Sequence, residues 1–155
     1  MIIALACDHA GYALKALLKT WLQKKGHGVV DLGVDTDAVP ADYPDYARAA
    51  AEAVVAGKAA RAIVVCGSGV GACVAANKVP GARAGTCHDT FSARQGVEDD
   101  DVNVLCLGGR VIGSELAYEV VNAWLSASFS GLERHLRRKE KVLAIERAYL
   151  KETRK

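Results

Sequence analysis

A cysteine followed by a glycine-rich turn, Cys66-Gly67-Ser68-Gly69-Val70-Gly71, carries the densest chemistry in this 155-residue chain. It follows an apolar run, Ala62 to Val65, and leads into a short helical stretch, Gly71 to Asn77. Three glycines let the main chain approach a ligand with no Cβ in the way. The start of a helix offers unpaired amides and a partial positive charge, which suit a phosphate or a developing enolate oxygen. A thiol there has its thiolate stabilised and can act as a base or nucleophile, with Ser68 placed to hydrogen-bond it. Plainer readings stand beside this one: a tight strand-to-helix connection, an inert buried cysteine, or a nucleotide cradle. The last is the weakest, because the turn follows the third strand and no acidic residue closes the next one.

Other residues can serve an anionic, hydroxyl-rich ligand. Asp8-His9 closes the first apolar run and can bind hydroxyls and an anion, or Asp8 can simply cap the helix that follows. Arg134 and Arg138 are spaced i, i+4 on one helical face and can grip a phosphate, or form a solvated basic surface. Arg110, after Gly108-Gly109, is a further anion candidate. His27, between glycines, reads as a surface turn residue, and His88 follows a strand without a defined role. Cys7, Cys73, Cys87 and Cys106 read as small core residues.

An α/β chain must position these groups. Ile2 to Ala6, Val29 to Leu32, Ala62 to Val65, Ala82 to Thr86 and Asn103 to Leu107 read as five strands. Leu14, Leu17, Leu18, Trp21 and Leu22 repeat as the stripe of an amphipathic helix, as do Leu116, Val120, Val121, Trp124 and Leu125. Tyr46 to Val55 is Ala-rich and helical after a loop from Asp35 to Pro44, and Thr90 to about Val97 is a further helix. A last, charged helix spans about Leu136 to Lys151. Apolar strands alternating with helices predict a Rossmann-like, doubly wound, five-stranded parallel sheet with helices on both faces. Such sheets bind ligands at the carboxyl ends of their strands, which selects Cys7 to His9, Gly33 to Asp37, Cys66 to Gly71 and Cys87 to Asp89.

Hydrophobic residues make up 51% and charged residues 25%, the profile of a globular chain of one domain, 1–155. A net charge of +2 gives no footprint for nucleic acid, although basic residues gather after Arg134 and Glu98 to Asp101 is an acidic run. No segment reaches the roughly 20 apolar residues that a bilayer span needs, so no membrane partner is expected. The N-terminus reads as a strand and not as a leader. Five cysteines without a Cys-x-x-Cys pair argue for reduced thiols in a cytoplasmic protein, and against a disulfide or zinc framework.

The segments Cys7-Asp8-His9-Ala10-Gly11, Asp42-Tyr43-Pro44, Cys66 to Gly71, Ala75-Ala76-Asn77-Lys78, Ser92-Ala93-Arg94, Asn103-Val104-Leu105, Gly109 to Gly113 and Arg134 to Arg138 match together in order and spacing. The chain resembles the ribose-5-phosphate isomerase B and galactose-6-phosphate isomerase family over nearly its whole length. That resemblance implies a Rossmann-like fold, no metal, no cofactor, and a homodimer or a tetramer with sites built from two subunits. It implies aldose–ketose isomerisation of a small phosphorylated sugar, ribose 5-phosphate to ribulose 5-phosphate, through a cis-enediolate. Cys66 would be the base and Ser68 its support. Some relatives place a Glu base just after the turn; here Gly71-Ala72-Cys73 stands there, which makes this the Cys type. The amides of Gly67, Ser68, Gly69, Val70 and Gly71 would hold the oxyanion. Asp8 would bind sugar hydroxyls, with Tyr43 nearby. His9, Arg134 and Arg138 would bind the phosphate, with Arg110 contributing and the helix-borne arginines reaching across the dimer interface.

One departure stands out. The family commonly carries a His before the Asn-Val-Leu strand, and that His opens the furanose ring. Here Asp99 occupies that position and Asp100 the following amide position. A carboxyl with an ordinary pKa of about 4 is a poor acid at neutral pH, unless burial or the clustered charges of Glu98, Asp100 and Asp101 raise it. Three readings stand: Asp99 opens the ring, another group such as His88 does so, or the substrate has no ring. A tetrose 4-phosphate cannot close a five-membered ring. A non-catalytic sugar-phosphate sensor and a nucleotide-binding oxidoreductase are alternatives from other classes, and Cys66 argues against the sensor.

Overall fold

The computed structural model describes residues 1–152, so the last residues of the basic tail lie outside the described residues. Five strands, β1 (Ile2–Cys7), β2 (Gly28–Asp31), β3 (Arg61–Cys66), β4 (Ala84–Thr86) and β5 (Val104–Gly108), form one sheet in the order β2-β1-β3-β5-β4. Every pairing is parallel. Six helices connect and cover it: α1 (Tyr12–Lys24), α2 (Tyr43–Val55), α3 (Val70–Ala76), α4 (Thr90–Asp100), α5 (Ser114–Ser126) and α6 (Glu133–Glu152). The doubly wound sheet expected from the alternation of apolar strands and helical stripes is present.

The period-2 alternation of the strands sorts the core into two layers of different grain. Ile3, Leu5, Ile63, Val65, Leu105 and Leu107 face one side and pack with Leu18 and Leu22 of α1, Val97 of α4, and Val120 and Trp124 of α5. Ala4, Ala6, Ala62, Val64, Val104 and Cys106 face the other, against Ala47, Ala50 and Ala51 of α2 and Ala72 and Ala76 of α3. Small side chains on both partners let α2 and α3 lie close to the sheet, which brings their ends near the strand termini.

Four boundaries differ from the sequence reading by two residues or more, one of them the start of α6, at Glu133 and not about Leu136. Helix α2 begins at Tyr43, inside the expected loop, because Pro44 falls in its first turn, where no main-chain donor is needed. Strand β4 begins at Ala84, since Arg83 Nε donates to Asp101 O at 2.7 Å and Arg83 N to Asn103 Oδ1 at 2.8 Å, holding that residue outside the strand. Helix α4 continues through the acidic run to Asp100 and is closed by Asp101 in the left-handed region, φ 56°. Carboxylates in a last turn oppose the helix dipole. Here basic neighbours offset them: Glu98 pairs with Arg94 at 2.7 Å, and Asp101 with Arg83 and Lys139 at 2.9 Å each.

Helix α6 lies against α4 and is pinned near its far end, where Gly81 N donates to Glu146 Oε1 and Oε2 at 2.8 and 2.9 Å. Among the described residues, no helix is long and apolar enough to cross a membrane.

Candidate active site

The sheet order reverses direction at β1 and β3, so their carboxyl ends flank the crevice where this architecture binds ligands. Asp8 follows β1 and Cys66 ends β3, and the two strands are knitted there by Asp8 N donating to Val65 O at 3.2 Å. Asp8 is buried and its Oδ1 accepts from Gly11 N at 3.0 Å, so the capping role read from the sequence is real. His9 Nδ1 lies 3.1 Å from Ala41 N and 3.2 Å from Ala41 O, which ties the ring to the loop before α2.

The turn after β3 bends back onto the cysteine. Gly69 N donates to Cys66 Sγ at 3.1 Å, placing a donor where charge develops on sulfur. That bond requires Gly69 in the left-handed region, φ 82°, where a Cβ would stand 3.0 Å from the Leu107 carbonyl carbon and from Thr86 Cγ2. Thr86 Oγ1 donates to Gly69 O at 3.2 Å and holds the peptide in place. Ser68 does not support the thiol as expected. Its Oγ accepts from Val70 N at 3.3 Å, and among the described residues it makes no bond to Cys66, because the tight turn presents the Gly69 amide to sulfur instead. The sequence showed the right turn and named the wrong donor.

Side chains from three other loops border the turn. A Cβ on Gly71 would stand 2.8 Å from Tyr43 Cζ, so the absence of a side chain there is what seats the Tyr43 ring. Arg110 N donates to Gly67 O at 3.1 Å and its guanidinium lies over Gly67, giving this edge a cation. His88 Nε2 accepts from Gly108 N at 2.9 Å, so its ring proton sits on Nδ1. Gly108 is the register partner of Cys66, which puts His88 on the same edge as the thiol.

The remaining candidates lie elsewhere. Asp99 and Asp100 end α4, and the chain then enters β5 at Val104, so they sit at the amino edge of the sheet. Cys66 pairs with Gly108, at the other end of β5. Four residues of strand separate those ends, about 13 Å. The segment before α6 is bound to the same place by Ser130 N donating to Glu98 O at 3.0 Å, which brings Arg134 and Arg138 to the amino edge too. The chain therefore carries two separated groups: Asp8, His9, Tyr43, the Cys66 turn and Arg110 at the carboxyl edge, and Asp99, Asp100, Arg134 and Arg138 at the amino edge.

The clustered acids do not face one another as the sequence suggested. Glu98 and Asp101 turn to the basic partners named above, and Asp99 Oδ1 lies 3.4 Å from His135 Nδ1. Asp100, exposed, lines a groove of about 640 Å³ with Arg83, Lys139 and apolar residues of α6. His135 is 3% exposed and its Nε2 accepts from Arg134 Nε at 2.9 Å. Sequence reasoning missed it, because a lone His in a charged helix gives no periodic signal of burial.

The thiols separate by environment. Burial pushes Cys7 and Cys87 up to about 11. Cys73, read from the sequence as a core residue, is half-buried. A hydrogen bond with Cys106 draws it down to about 6 against the cost of burial, Thr86 and Asn77 assisting. Cys106 rises well above its ordinary value through the same bond and its own burial. Among the described residues, no three His, Cys, Asp or Glu side chains converge to hold a metal ion.

Similarity to known proteins agrees with this architecture. The family model described as Ribose/Galactose Isomerase matches residues 3–142. A D-erythrulose-4-phosphate isomerase of Pectobacterium atrosepticum is 45% identical over 129 residues, covering 83% of this chain and 85% of that protein. The structure of Clostridium thermocellum ribose-5-phosphate isomerase B superposes with a TM-score of 0.94 at 44% identity, over 96% of this chain and 99% of the other. That of Mycoplasma genitalium ribose-5-phosphate isomerase B, with bound ribulose-5-phosphate, gives 0.89 at 37% identity, over 94% and 96%. A thiol-bearing glycine turn at the switch point of a five-stranded parallel sheet, matched over nearly its whole length, makes this chain a sugar-phosphate isomerase that belongs to the ribose/galactose isomerase family.

Proposed function

We propose that the chain interconverts an aldose phosphate and its ketose by moving a proton between C1 and C2, with Cys66 as the base and a cis-enediolate between. The Gly69 amide directed at Cys66 Sγ, 3.1 Å away, is the observation that carries this reading. A thiolate at that point removes the C2 proton and returns it to C1, while main-chain amides of the turn hold the oxyanion. Asp8 accepts from sugar hydroxyls, and Tyr43 walls the pocket. His9, Arg110, Arg134 and Arg138 neutralise the phosphate, and the amino-edge arginines do so from a second subunit. Two copies related by a two-fold axis bring a carboxyl edge of one to the amino edge of the other twice, giving two complete sites. In this arrangement the 155 residues act as one catalytic domain whose last helix packs on the partner, in a dimer or a tetramer.

Ribose 5-phosphate and ribulose 5-phosphate are the pair favoured by the likeness to ribose-5-phosphate isomerase B structures. Asp99 favours a second reading. Its carboxylate faces His135 and stands where a ring-opening His is common in the family. A tetrose 4-phosphate needs no ring opening, and a relative 45% identical is named for D-erythrulose 4-phosphate. A panel of aldose phosphates of four to six carbons, assayed for ketose with wild type and Cys66→Ala, tests both. Turnover of one member, abolished in Cys66→Ala, is expected. Equal turnover in Cys66→Ala removes the thiol as base, and no turnover of any member leaves a sugar-phosphate sensor.

A further inference from the structure

We propose that His135 is a positioning residue of the amino-edge half-site, holding Arg134 for the substrate phosphate with one ring nitrogen while the other is anchored on Ser130, beside Asp99. The hydrogen bonds fix its tautomer. Arg134 Nε can only donate, so Nε2 of His135 is the acceptor at 2.9 Å and the ring proton sits on Nδ1. Nδ1 lies 2.7 Å from Ser130 Oγ and 3.4 Å from Asp99 Oδ1. The ring thus joins Arg134 to Ser130, with the Asp99 carboxylate beside Nδ1, and it is sealed from solvent at 3% exposure, so its part is to position Arg134.

The geometry has a direct consequence for Arg134. Its Nε is spent on His135, which anchors the guanidinium and leaves the two Nη groups as the fork that can grip a phosphate. Arg134 is exposed, and without this anchor its guanidinium samples many rotamers that binding must freeze. Asp99 Oδ1 flanks the Nδ1 side at 3.4 Å, beyond the Ser130 hydroxyl at 2.7 Å. His135 therefore stands between the group proposed to bind the phosphate and the residue at the position of the ring-opening acid.

Two substitutions separate the two halves of the bridge. His135→Gln can place its amide oxygen where Nε2 stands and keep the Arg134 anchor. His135→Asn can place its amide NH2 where Nδ1 stands and keep the Ser130 and Asp99 side only. His135→Asn is expected to raise KM for the sugar phosphate and Ki for inorganic phosphate by about tenfold each, with kcat changed less than about threefold. His135→Gln is expected to restore both constants to within about threefold of wild type. Equal behaviour of the two variants, or a fall in kcat at unchanged KM, overturns the proposal.

A measurement on the wild-type protein stands whether or not the variants fold. In ¹⁵N NMR of its imidazoles, assigned by subtraction with variants of His9, His27 and His88, His135 is expected as the neutral Nδ1–H tautomer, shifting as inorganic phosphate is added. An Nε2–H tautomer, or no response to phosphate, overturns the assignment. The inference rests on Arg134 as a phosphate ligand, and Arg134→Ala tells the two apart. Unchanged KM and Ki in Arg134→Ala remove that underlying reading, whereas raised values there with wild-type values in His135→Asn remove the role of His135 alone.

Discussion

The two edges of the sheet are built by different means. At the carboxyl edge, main chain does the work: a left-handed glycine at 69 turns an amide onto Cys66 Sγ, and neighbouring carbonyls are tied off by Gly109 N and Arg110 N. At the amino edge, side chains hold one another, with Asp99, Ser130, Arg134 and His135 drawn from α4, the loop after α5, and α6. In the first, the bond to sulfur lies within one turn, Cys66 to Gly69, which distant main chain and Thr86 then brace, whereas the second is assembled wholly from separate elements. A reaction center that needs both must therefore combine a rigid local turn with a cluster whose parts depend on long-range packing.

The sharpest way to break this comparison is to disable one edge per subunit. Cys66→Ala is expected to lower kcat by about 10²–10⁴-fold, and Arg138→Ala to raise KM by one to two orders of magnitude, about the weight of a charge-assisted bond. If the edges act together only across subunits, co-refolding the two variants restores activity to about a quarter of wild type, since half the dimers carry one intact site of two. No recovery on mixing shows that each site is complete within one chain.

Asp99→His probes the amino edge alone. It is expected to raise kcat/KM for ribose 5-phosphate about tenfold, a part of what a placed general acid contributes, while leaving a tetrose 4-phosphate within about threefold. Unchanged ribose 5-phosphate turnover counts against ring opening as the missing step. Gly69→Ala probes the carboxyl edge alone. Forcing a Cβ into the left-handed region is expected to cost about 1–3 kcal/mol of stability in a denaturant titration. A loss below about 0.5 kcal/mol means that the turn tolerates a side chain and that the Cys66 donor does not depend on its strain-free glycine.

The smallest effect concerns thiols. With Cys73 drawn down to about 6 and Cys7 and Cys87 up at about 11, alkylation at pH 7 is expected to mark Cys73 ahead of those two. Its rate falls as pH drops through about 6, because the thiolate is the reacting form. A rate flat down to pH 5, or rising only above pH 8, contradicts that ordering.

What the sequence made legible follows the same division. Ala62 to Val65 and the three glycines after Cys66 announce a strand, a turn and a helix within a short stretch, the capping Asp8 does the same after the first strand, and the structure has them there. The alternation of β-branched strands with apolar helical stripes was enough for the parallel sheet. Ser68 was misjudged because spacing does not say which of two adjacent donors a tight turn presents to sulfur. Within the acidic run Glu98 has a local partner in Arg94, but the neighbours of Asp99 and Asp101, namely His135, Arg83 and Lys139, are far away in the chain and gave no sequence signal. His135 itself was invisible, since its burial depends on α6 settling against α4.

Helix α6 is held at both ends within its own subunit, by His135 near its start and by Glu146 on the Gly81 amide further along. Most of a helix's stability comes from tertiary packing and not from propensity. Here the 20-residue helix is anchored by these contacts, with Val142, Ile145 and Tyr149 exposed. In the proposed dimer, two copies that meet would not have to fold this arm against each other. The entropy of ordering it would already be met within each chain, and the pace of pairing would be left to diffusion and orientation.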